Sequence, residues 1–208
     1  YINKMDRSGA DFYQVINQIK DKLGARPVVI QIPIGEEDNF RGVVDLITMK
    51  GIIWEDATQG MTYKEVPIPE DMVEEVNEWR QHLVEAVAEY DDKLLEKFFD
   101  DPNSITEAEM HEAIRKAVID ISIIPMMCGS SFKNKGVQTA LDAICRYLPG
   151  PLDIEAVKGT HPDTGEELIR KADPKEPFSA LAFKIMTDPF VGRLAFFRVY
   201  SGHLDAGS

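Results

Sequence analysis

The sequence has few of the features that mark secreted, membrane-spanning or metal-binding proteins. Its 208 residues include only two cysteines, Cys128 and Cys145, and these form no Cys-x-x-Cys pair. Such usage favours a reducing compartment over a disulfide scaffold, so we expect a cytoplasmic location. The longest apolar stretch, residues 121–128, is broken by Ser122 and Pro125. It is too short to span a bilayer, which predicts no membrane partner.

Two kinds of ligand site are also missing from the sequence. The four histidines are scattered and do not have the spacing of a metal-ligand set, so no metal site is predicted in this chain. No Gly-x-x-x-x-Gly-Lys-Ser/Thr loop occurs anywhere in the 208 residues. A nucleotide bound here would therefore lack the usual cradle for its phosphates.

Negative charge is concentrated in one part of the chain. The formal net charge is −13, and residues 65–112 hold 16 Asp and Glu against 3 Lys and Arg. The rest of the chain holds 20 residues of each sign and is neutral. A local field of this sign disfavours nucleic acid and favours a basic protein partner. The alternative is a solvated helix face that only keeps the protein soluble.

Residues 3–6 read Asn-Lys-Met-Asp and follow an apolar pair at residues 1–2. Asn-Lys-x-Asp at a strand end is the guanine-reading motif of GTP-binding proteins. The Asp6 carboxylate can accept from both N1–H and the exocyclic amino group of guanine, whereas adenine presents the opposite pattern. The Asn3 amide can reach acceptors on the far edge of the base, and the Lys4 stem can cover its face. Unmatched bonds of this kind cost about 1–3 kcal/mol or more, so the motif selects guanine.

A simpler alternative for the same residues is a helix-capping turn. Asp6 or Ser8 would then cap the helix that follows. Apolar spacing predicts that helix over residues 8–23, with Gly24 as its stop.

The remaining periodicity divides the chain into a small α+β module, a strand–loop–helix unit and the start of an all-β domain. A capping box at residues 106–109 predicts the start of one helix. The stretch 152–177 is polar and linker-like, and the period changes to two from Phe178. The predicted elements are strands at 28–32, 42–49, 51–54 and 62–68, helices at 70–99 and 106–119, a strand at 123–128, a loop at 129–136, a helix at 137–148, and two strands within 178–200.

This order of motifs and elements resembles the second half of the GTPase domain of translational GTPases, and most closely that of the bacterial elongation factor G family. The likeness runs along the whole chain. It is carried by residues 1–12, 33–35, 133–138, 147–149, 151–154, 182–186 and 200–202. The fold class it implies is α/β: a partial P-loop-type GTPase domain with an inserted α+β subdomain, followed by the first strands of a β-barrel domain.

The resemblance also implies a domain organisation. The GTPase domain would comprise residues 1–26 and 123–158, and the inserted acidic subdomain residues 27–122. A linker at 159–177 would lead to the start of the barrel at 178–208. Because the chain opens without Met and already within a strand, it is expected to be part of a longer protein.

A second base-reading loop is implied at Ser130, Ser131 and Phe132. In the family this loop is Ser-Ala-Leu or similar; its backbone N–H groups meet guanine O6, and its serine braces the Asp of the first motif. Ser131 replaces the usual Ala, a change that a backbone contact tolerates. The alternative is a plain strand-to-helix turn. With Asn3, Lys4 and Asp6, these residues form the implied guanine site.

As the resemblance implies, the longer protein binds GTP or GDP, docks on the ribosome and drives translocation of tRNA and mRNA. The phosphate loop, the switches, the water-positioning histidine and the Mg²⁺ site would lie outside this chain. No residue of it is therefore expected to be catalytic. The chain alone should lack GTPase activity and bind nucleotide very weakly.

Two ribosomal contacts are implied as well. The insertion would meet the ribosomal stalk protein, with Glu74, Glu75 and Glu78 as candidate contacts. The barrel domain would contact ribosomal RNA; Arg193 and Arg198 could face RNA there or pair with carboxylates of the GTPase domain.

Two other function classes stay open. One is a related ribosomal GTPase, such as a tetracycline-resistance protection protein or release factor three, although the insertion length and residues 133–138 favour the elongation factor G family. The other is a non-enzymatic protein-binding module centred on residues 27–122.

Overall fold

Residues 1–207 are described by the computed structural model, apart from the side chain of Asn103. The chain forms two units, Tyr1–Leu148 and Pro149–Ser208. Each unit is described by itself below.

The first unit contains a short parallel sheet. Strand β1 (Pro27–Val29) pairs in parallel with β6 (Ile124–Met126), and Ile2 forms a parallel bridge to Cys128 just beyond it. Parallel neighbours require a long crossover connection, and here nearly a hundred residues of inserted structure provide it. Burial raises the pKa of the Cys128 thiol well above its usual range, so this cysteine is an inert core residue.

Helix α1 (Phe12–Leu23) follows the amino-terminal segment and buries Phe12 and Ile16. Its N-cap is Asp11, whose carboxylate accepts from the Gln14 backbone N–H at 2.8 Å. It ends where Gly24 adopts a left-handed conformation with φ of 59°, as the sequence predicts. The capping alternative for Asp6 and Ser8 is therefore wrong, because the helix begins a turn later and is capped by another carboxylate.

The inserted sheet is an antiparallel meander. Its order is β2 (Gln31–Ile34), β3 (Gly42–Asp45), β4 (Lys50–Trp54) and β5 (Tyr63–Val66). The single strand expected at residues 28–32 is therefore two strands in different sheets. Ile30 lies at the crossing, donating its N–H to Met126 O at 3.0 Å and accepting from Leu46 N at 3.0 Å. The sequence pattern does not reveal this division, because the residues on both sides of it are buried and mostly apolar.

Three helices complete the insertion: α2 (Val73–Ala88), α3 (Asp92–Asp100) and α4 (Glu107–Ile119). The continuous helix expected at residues 70–99 breaks at Asp91, which caps α3 by accepting from the backbone N–H groups of Lys93 and Leu94. Thr106 and Glu109 form the predicted capping box of α4. The buried hydrophobic side chains of these helices are Val76, Leu83, Val84, Val87, Ala88, Leu94, Met110, Ala113, Ile114 and Ala117.

Helix α5 (Val137–Tyr147) follows β6 and the loop at residues 129–136. It begins after Gly136, whose φ is 83°, and it packs beside α4. The Arg115 guanidinium donates to the carbonyl oxygen of Arg146 at 2.7 Å, near the carboxyl end of α5. The contact places a positive charge where the helix leaves carbonyl groups unpaired.

The second unit consists of two hairpins. Strands β7 (Val157–Thr160) and β8 (Glu167–Arg170) pair antiparallel, as do β9 (Ser179–Asp188) and β10 (Gly192–Ser201). The first hairpin occupies a stretch whose composition suggested a linker. Its strands have only four residues each, and their charged residues obscure any alternation of polar and apolar positions. Composition alone therefore did not predict them.

Within residues 1–207, no helix combines the length and the apolar character needed to cross a membrane. The same residues contain no group of His, Cys, Asp and Glu side chains arranged to hold a metal ion.

Candidate guanine-binding site

Backbone hydrogen bonds bring the Asn-Lys-Met-Asp segment beside the loop that follows β6. Ile2 N donates to Met127 O at 2.8 Å, and Gly129 N donates to Ile2 O at 3.0 Å. Met5 N then donates to Gly129 O at 3.1 Å. This ladder aligns residues 3–6 with residues 130–132, although more than 120 positions separate them in the sequence.

Asn3 joins the two loops directly. Its side-chain oxygen accepts from the Ser131 backbone N–H at 2.9 Å and from the Lys4 N–H at 2.8 Å. The bond to Lys4 accompanies a left-handed backbone at that residue, with φ of 69°, a conformation that few non-glycine residues adopt. With its oxygen occupied by two donors, Asn3 offers a ligand its NH₂ group.

Asp6 lies at the base of the site and is only 8% exposed. A hydrogen bond from the Ser130 side chain lowers the pKa of its carboxyl group, and the charges of Lys133 and Arg7 act in the same direction. Asp6 is thus held as an ionised acceptor at neutral pH. An ionised carboxylate accepts on both oxygens, which suits a ligand edge with two adjacent donors.

Ser130 is fully buried and anchors the second loop. Its backbone N–H and C=O both pair with Lys135 at 2.9 Å. Its hydroxyl oxygen accepts from the Lys133 N–H at 3.2 Å while the hydroxyl hydrogen is available to Asp6. The loop is therefore a closed turn with its serine directed inward.

The remaining predicted base contacts are at the surface. Phe132 is 86% exposed, and the Arg7 guanidinium lies 5.8 Å from the centre of its ring. Lys4 and Ser131 are also exposed. The structure thus brings all six predicted residues around two adjoining loops, with two of them buried and four accessible.

Tyr1 closes the back of the second loop. Its hydroxyl donates to Lys135 O at 3.1 Å. Burial, aided by the neighbouring Cys128, raises the pKa of Tyr1 to about 12. The phenol therefore remains a donor across the physiological range, and its bond to Lys135 supports the turn.

The three predicted partner contacts on α2 are not equivalent. Glu74 and Glu78 are exposed, whereas Glu75 is half-buried and accepts a hydrogen bond from the Tyr13 hydroxyl. The Tyr13 ring stacks on Trp79 with centroids 5.9 Å apart, and burial, together with the Glu75 carboxylate, raises the pKa of Tyr13. Glu75 therefore serves to attach α2 to α1.

Sequence reasoning missed two residues that connect the loops to the insertion: Lys135, within the second loop, and Glu37, within the insertion. Lys135 is 4% exposed, and its ammonium group pairs with Asp56 at 2.8 Å. Glu37 accepts from the Gly9 N–H at 2.6 Å through its carboxylate. A lysine within a polar loop and a glutamate within an acidic turn carry no periodic signal, so only the packing identifies them.

The two loops adjoin at the ends of parallel strands, the place where open α/β sheets bind their ligands, which is typical of nucleotide-binding domains. Residues 1–150 match the family described as the elongation factor Tu GTP binding domain. The chain belongs to this family.

Relatives extend the match over all 208 residues. The chain is 65% identical to elongation factor G of Amoebophilus asiaticus, covering 100% of this chain and 29% of that protein. It is 60% identical to elongation factor G of Cytophaga hutchinsonii and 56% identical to that of Karelsulcia muelleri, each over 100% of this chain and 30% of the relative. A crystal structure of a Thermus thermophilus protein matches with a TM-score of 0.74 at 27% identity, over 99% of this chain and 27% of the other.

These findings confirm the resemblance to the elongation factor G family and the mixed α/β fold class predicted from the sequence. The chain spans less than a third of the length of these relatives.

Proposed function

We propose that this chain supplies the guanine-specificity loops of a ribosome-associated translational GTPase that binds GTP and GDP and drives translocation of tRNA and mRNA. The observation that carries the proposal is the Asn3 side-chain bond to the Ser131 N–H at 2.9 Å, which joins the two loops above a buried, ionised Asp6. The names of the relatives, all elongation factor G, support the same assignment.

Each loop residue then has a distinct role toward the base. Asp6 accepts from N1–H and the amino group of guanine, and the buried Ser130 hydroxyl holds the carboxylate in place. Backbone N–H groups at residues 131–132 meet O6, and the Asn3 NH₂ group meets acceptors at the far edge. Lys4 covers the purine face with its methylene stem. Adenine would leave the buried carboxylate facing no suitable donor pair, which is costly.

Phosphate and Mg²⁺ chemistry belong to other parts of the longer protein in this proposal. Catalysis of phosphoryl transfer is mainly positioning and electrostatic stabilisation around those groups. The chain alone should therefore show no GTP turnover and only weak binding through the base. We place the protein in the cytoplasm, where ribosomes and guanine nucleotides are available.

The test replaces the carboxylate by an amide. In Asp6→Asn, the amide NH₂ group is a donor that faces the donor groups of guanine. Xanthine carries a carbonyl oxygen in place of the amino group of guanine, so the same NH₂ group can donate to it. The affinities are measured by NMR titration of the ¹⁵N-labelled chain with guanosine and xanthosine. The variant should bind guanosine about tenfold more weakly or worse, which is the loss expected for one charge-assisted hydrogen-bond pair, and it should bind xanthosine more tightly.

The control for this test is Asp188→Asn, a carboxylate that caps a turn in the second unit by accepting from Phe190 N and Val191 N. It should leave both titrations unchanged. Equal response of the original chain to guanosine and adenosine would contradict guanine recognition.

We further propose that the insertion docks the ribosomal stalk protein. The exposed carboxylates of Glu74 and Glu78 lie one helical turn apart on α2, in the region that holds the whole excess negative charge of the chain. A double variant, Glu74→Gln with Glu78→Gln, should weaken binding of purified stalk protein by several-fold, most strongly at low salt, because exposed charges are screened over about 8 Å at physiological ionic strength.

Glu166→Gln with Glu167→Gln is the matched control, since both carboxylates are exposed on the second unit. Equal loss of binding in both double variants would show that only total charge matters. Unchanged binding in the α2 variant would move the docking face elsewhere on the insertion.

The second unit is proposed to contact ribosomal RNA through β10. Arg193 and Arg198 lie on this strand, and the Arg198 guanidinium is 5.4 Å from the centre of the Tyr200 ring. The alternative role is pairing with carboxylates. Arg198→Gln should reduce association of the longer protein with ribosomes and flatten its salt dependence if the contact is to phosphate.

The related ribosomal GTPases and the non-enzymatic module remain the competing proposals. Complementation of an elongation factor G defect by the full-length protein distinguishes translocation from ribosome protection or release. Binding of stalk protein without any guanosine response would favour the non-enzymatic module.

A further inference from the structure

The two base-reading loops are attached to the inserted sheet as well as to each other. We infer that the insertion positions both loops through two side chains, Lys135 and Glu37, and thereby sets how tightly guanine is held. This inference rests on the guanine recognition proposed above and adds a source of control to it.

Lys135 is the stronger of the two attachments. Its side chain is 5% exposed, and its ammonium group reaches Asp56 at 2.8 Å and the Phe40 carbonyl at 3.4 Å. Both partners belong to the insertion, while the Lys135 backbone pairs with Ser130 inside the guanine loop. A buried ammonium group is costly unless it is paired, so the loop is stable in this position only while the insertion supplies the partners.

Asn134 of the same loop and Gln138 in the first turn of α5 make further bonds to the insertion. The Gly60 carbonyl accepts from Asn134 at 3.2 Å and from Gln138 at 2.9 Å. The Trp54 indole N–H donates to Gln138 at 2.9 Å. Gly60 has a φ of 72°, and an added Cβ would lie 2.5 Å from the Lys133 carbonyl oxygen. The two backbones approach so closely that only glycine fits.

Glu37 holds the first loop in the same manner. Its backbone N–H donates to Met5 O at 2.9 Å, and its carboxylate accepts from Gly9 N at 2.6 Å. These contacts flank Asp6 on both sides. Glu37 adopts a left-handed backbone with φ of 52°, which costs energy for a residue with a side chain. The contacts to residues 5 and 9 offset that cost.

Together the attachments make guanine affinity depend on the insertion. The Asp6 carboxylate and the Ser130 hydroxyl stay within hydrogen-bond reach only if the two loops keep their spacing, and such bonds weaken steeply outside a narrow range of distance and angle. Lys135 and Glu37 are therefore positioning residues that act on the base through the loops.

The first variant is Asp56→Asn, because the Asp56 side chain is 82% exposed and its change cannot remove core packing. Two properties of the full 208-residue chain are measured: amide hydrogen exchange at Ser131 without ligand, and guanosine affinity by NMR titration. Asp56→Asn should weaken guanosine binding about threefold and speed Ser131 exchange. Lys135→Met and Glu37→Ala should each have larger effects, about tenfold for Lys135→Met, or ~1.4 kcal/mol.

Lys50→Met is the matched control, since Lys50 forms an exposed pair with Glu65 at 2.6 Å on the same sheet. It should change neither property. Raising salt to about 1 M, where the screening length is ~3 Å, should narrow the difference between Asp56→Asn and the original chain, since that difference is electrostatic. If the variant instead weakened binding through a general loss of structure, the difference from the original chain would not become smaller at high salt.

The outcomes distinguish the positioning role of the insertion from guanine recognition itself. Unchanged Ser131 exchange and guanosine affinity in both Asp56→Asn and Lys135→Met would overturn the positioning role while leaving guanine recognition intact. A second outcome is that Ser131 exchanges faster in the variants while neither the original chain nor any variant responds to guanosine. This would support the attachment of the loops to the insertion and overturn guanine recognition. Equal effects from Lys50→Met would also overturn the inference, because they would show a response to charge alone.

Discussion

The two units of this chain differ in how they use apolar residues. In residues 1–148, side chains from both sheets and all five helices meet in a continuous buried core. In the second unit only Ser201 is buried among the described residues. Ile185 and Met186, adjacent on β9 where the pairing is regular, are 72% and 39% exposed. Consecutive strand residues point to opposite faces, so neither face of this hairpin is covered within its own unit.

This difference shows that a strand pattern and a core are separate requirements. The β9–β10 hairpin forms backbone hydrogen bonds between its two ten-residue strands, along one edge of each. A two-stranded hairpin alone is only marginally stable in water, because no third element removes its apolar surface from solvent. The first unit gains its stability from packing across elements that are distant in sequence.

The largest expected effect compares one isoleucine from each unit. Ile114 is fully buried on α4, whereas Ile185 on β9 is 72% exposed. Ile114→Ala should cost about 2–5 kcal/mol of unfolding free energy through lost burial and a residual cavity. Ile185→Ala should change it by about 0.5 kcal/mol or less, as at other surface sites.

Urea unfolding followed by tryptophan fluorescence and by far-UV circular dichroism measures both variants. Both tryptophans, Trp54 and Trp79, lie in the first unit, so fluorescence reports that unit alone. A cost for Ile185→Ala close to that for Ile114→Ala in the dichroism signal would show that the hairpin has a core of its own.

An intermediate effect is expected from a helix cap in the first unit. Asp11→Ala removes the acceptor for the Gln14 N–H at the start of α1 and should cost about 1 kcal/mol. Thr164→Ala in the β7–β8 turn, where the hydroxyl accepts weakly from Glu166 N at 3.4 Å, serves as the control. Fluorescence-monitored unfolding should shift for the first variant only, and an equal shift for both would contradict the separation of the units.

The smallest effect is a pH dependence. The pKa of Glu109 is lowered to about 2 by bonds from Lys97 and Thr106. Since the folded value lies below the unfolded value of about 4.3, this group stabilises the fold above that unfolded value, and the stabilisation is lost as pH falls toward 2. Glu109→Gln should therefore lower the melting temperature near neutral pH, and its difference from the original chain should close between about pH 4 and 2.

The comparison variant for this prediction is Asp188→Asn. Backbone bonds from Val191 and Phe190 lower the pKa of Asp188, but the turn belongs to the second unit. Its replacement should leave the fluorescence melting curve unchanged at every pH. A pH-dependent shift of that curve would show that the β9–β10 turn contributes to the stability of the first unit.

Features with local causes were predictable from the sequence. The capping box at Thr106 and Glu109, the Gly24 stop and the two long strands of the second unit depend on hydrogen bonds and periodicity within a few residues. The division of residues 28–32 between two sheets was missed because both strands are apolar. The break at Asp91 was missed because the apolar stripe continues across it.

The sequence by itself determined the family resemblance, the α/β fold class and the concentration of negative charge in residues 65–112. Only the tertiary structure decided that Glu75 binds Tyr13 while Glu74 and Glu78 stay exposed, and that Lys135 is buried against Phe40 and Asp56. The physical reason is the range of the interactions. Caps, turns and periodicity are encoded by neighbours, whereas a buried charge finds its partner across 95 residues of chain only when the packing of whole elements brings the two together.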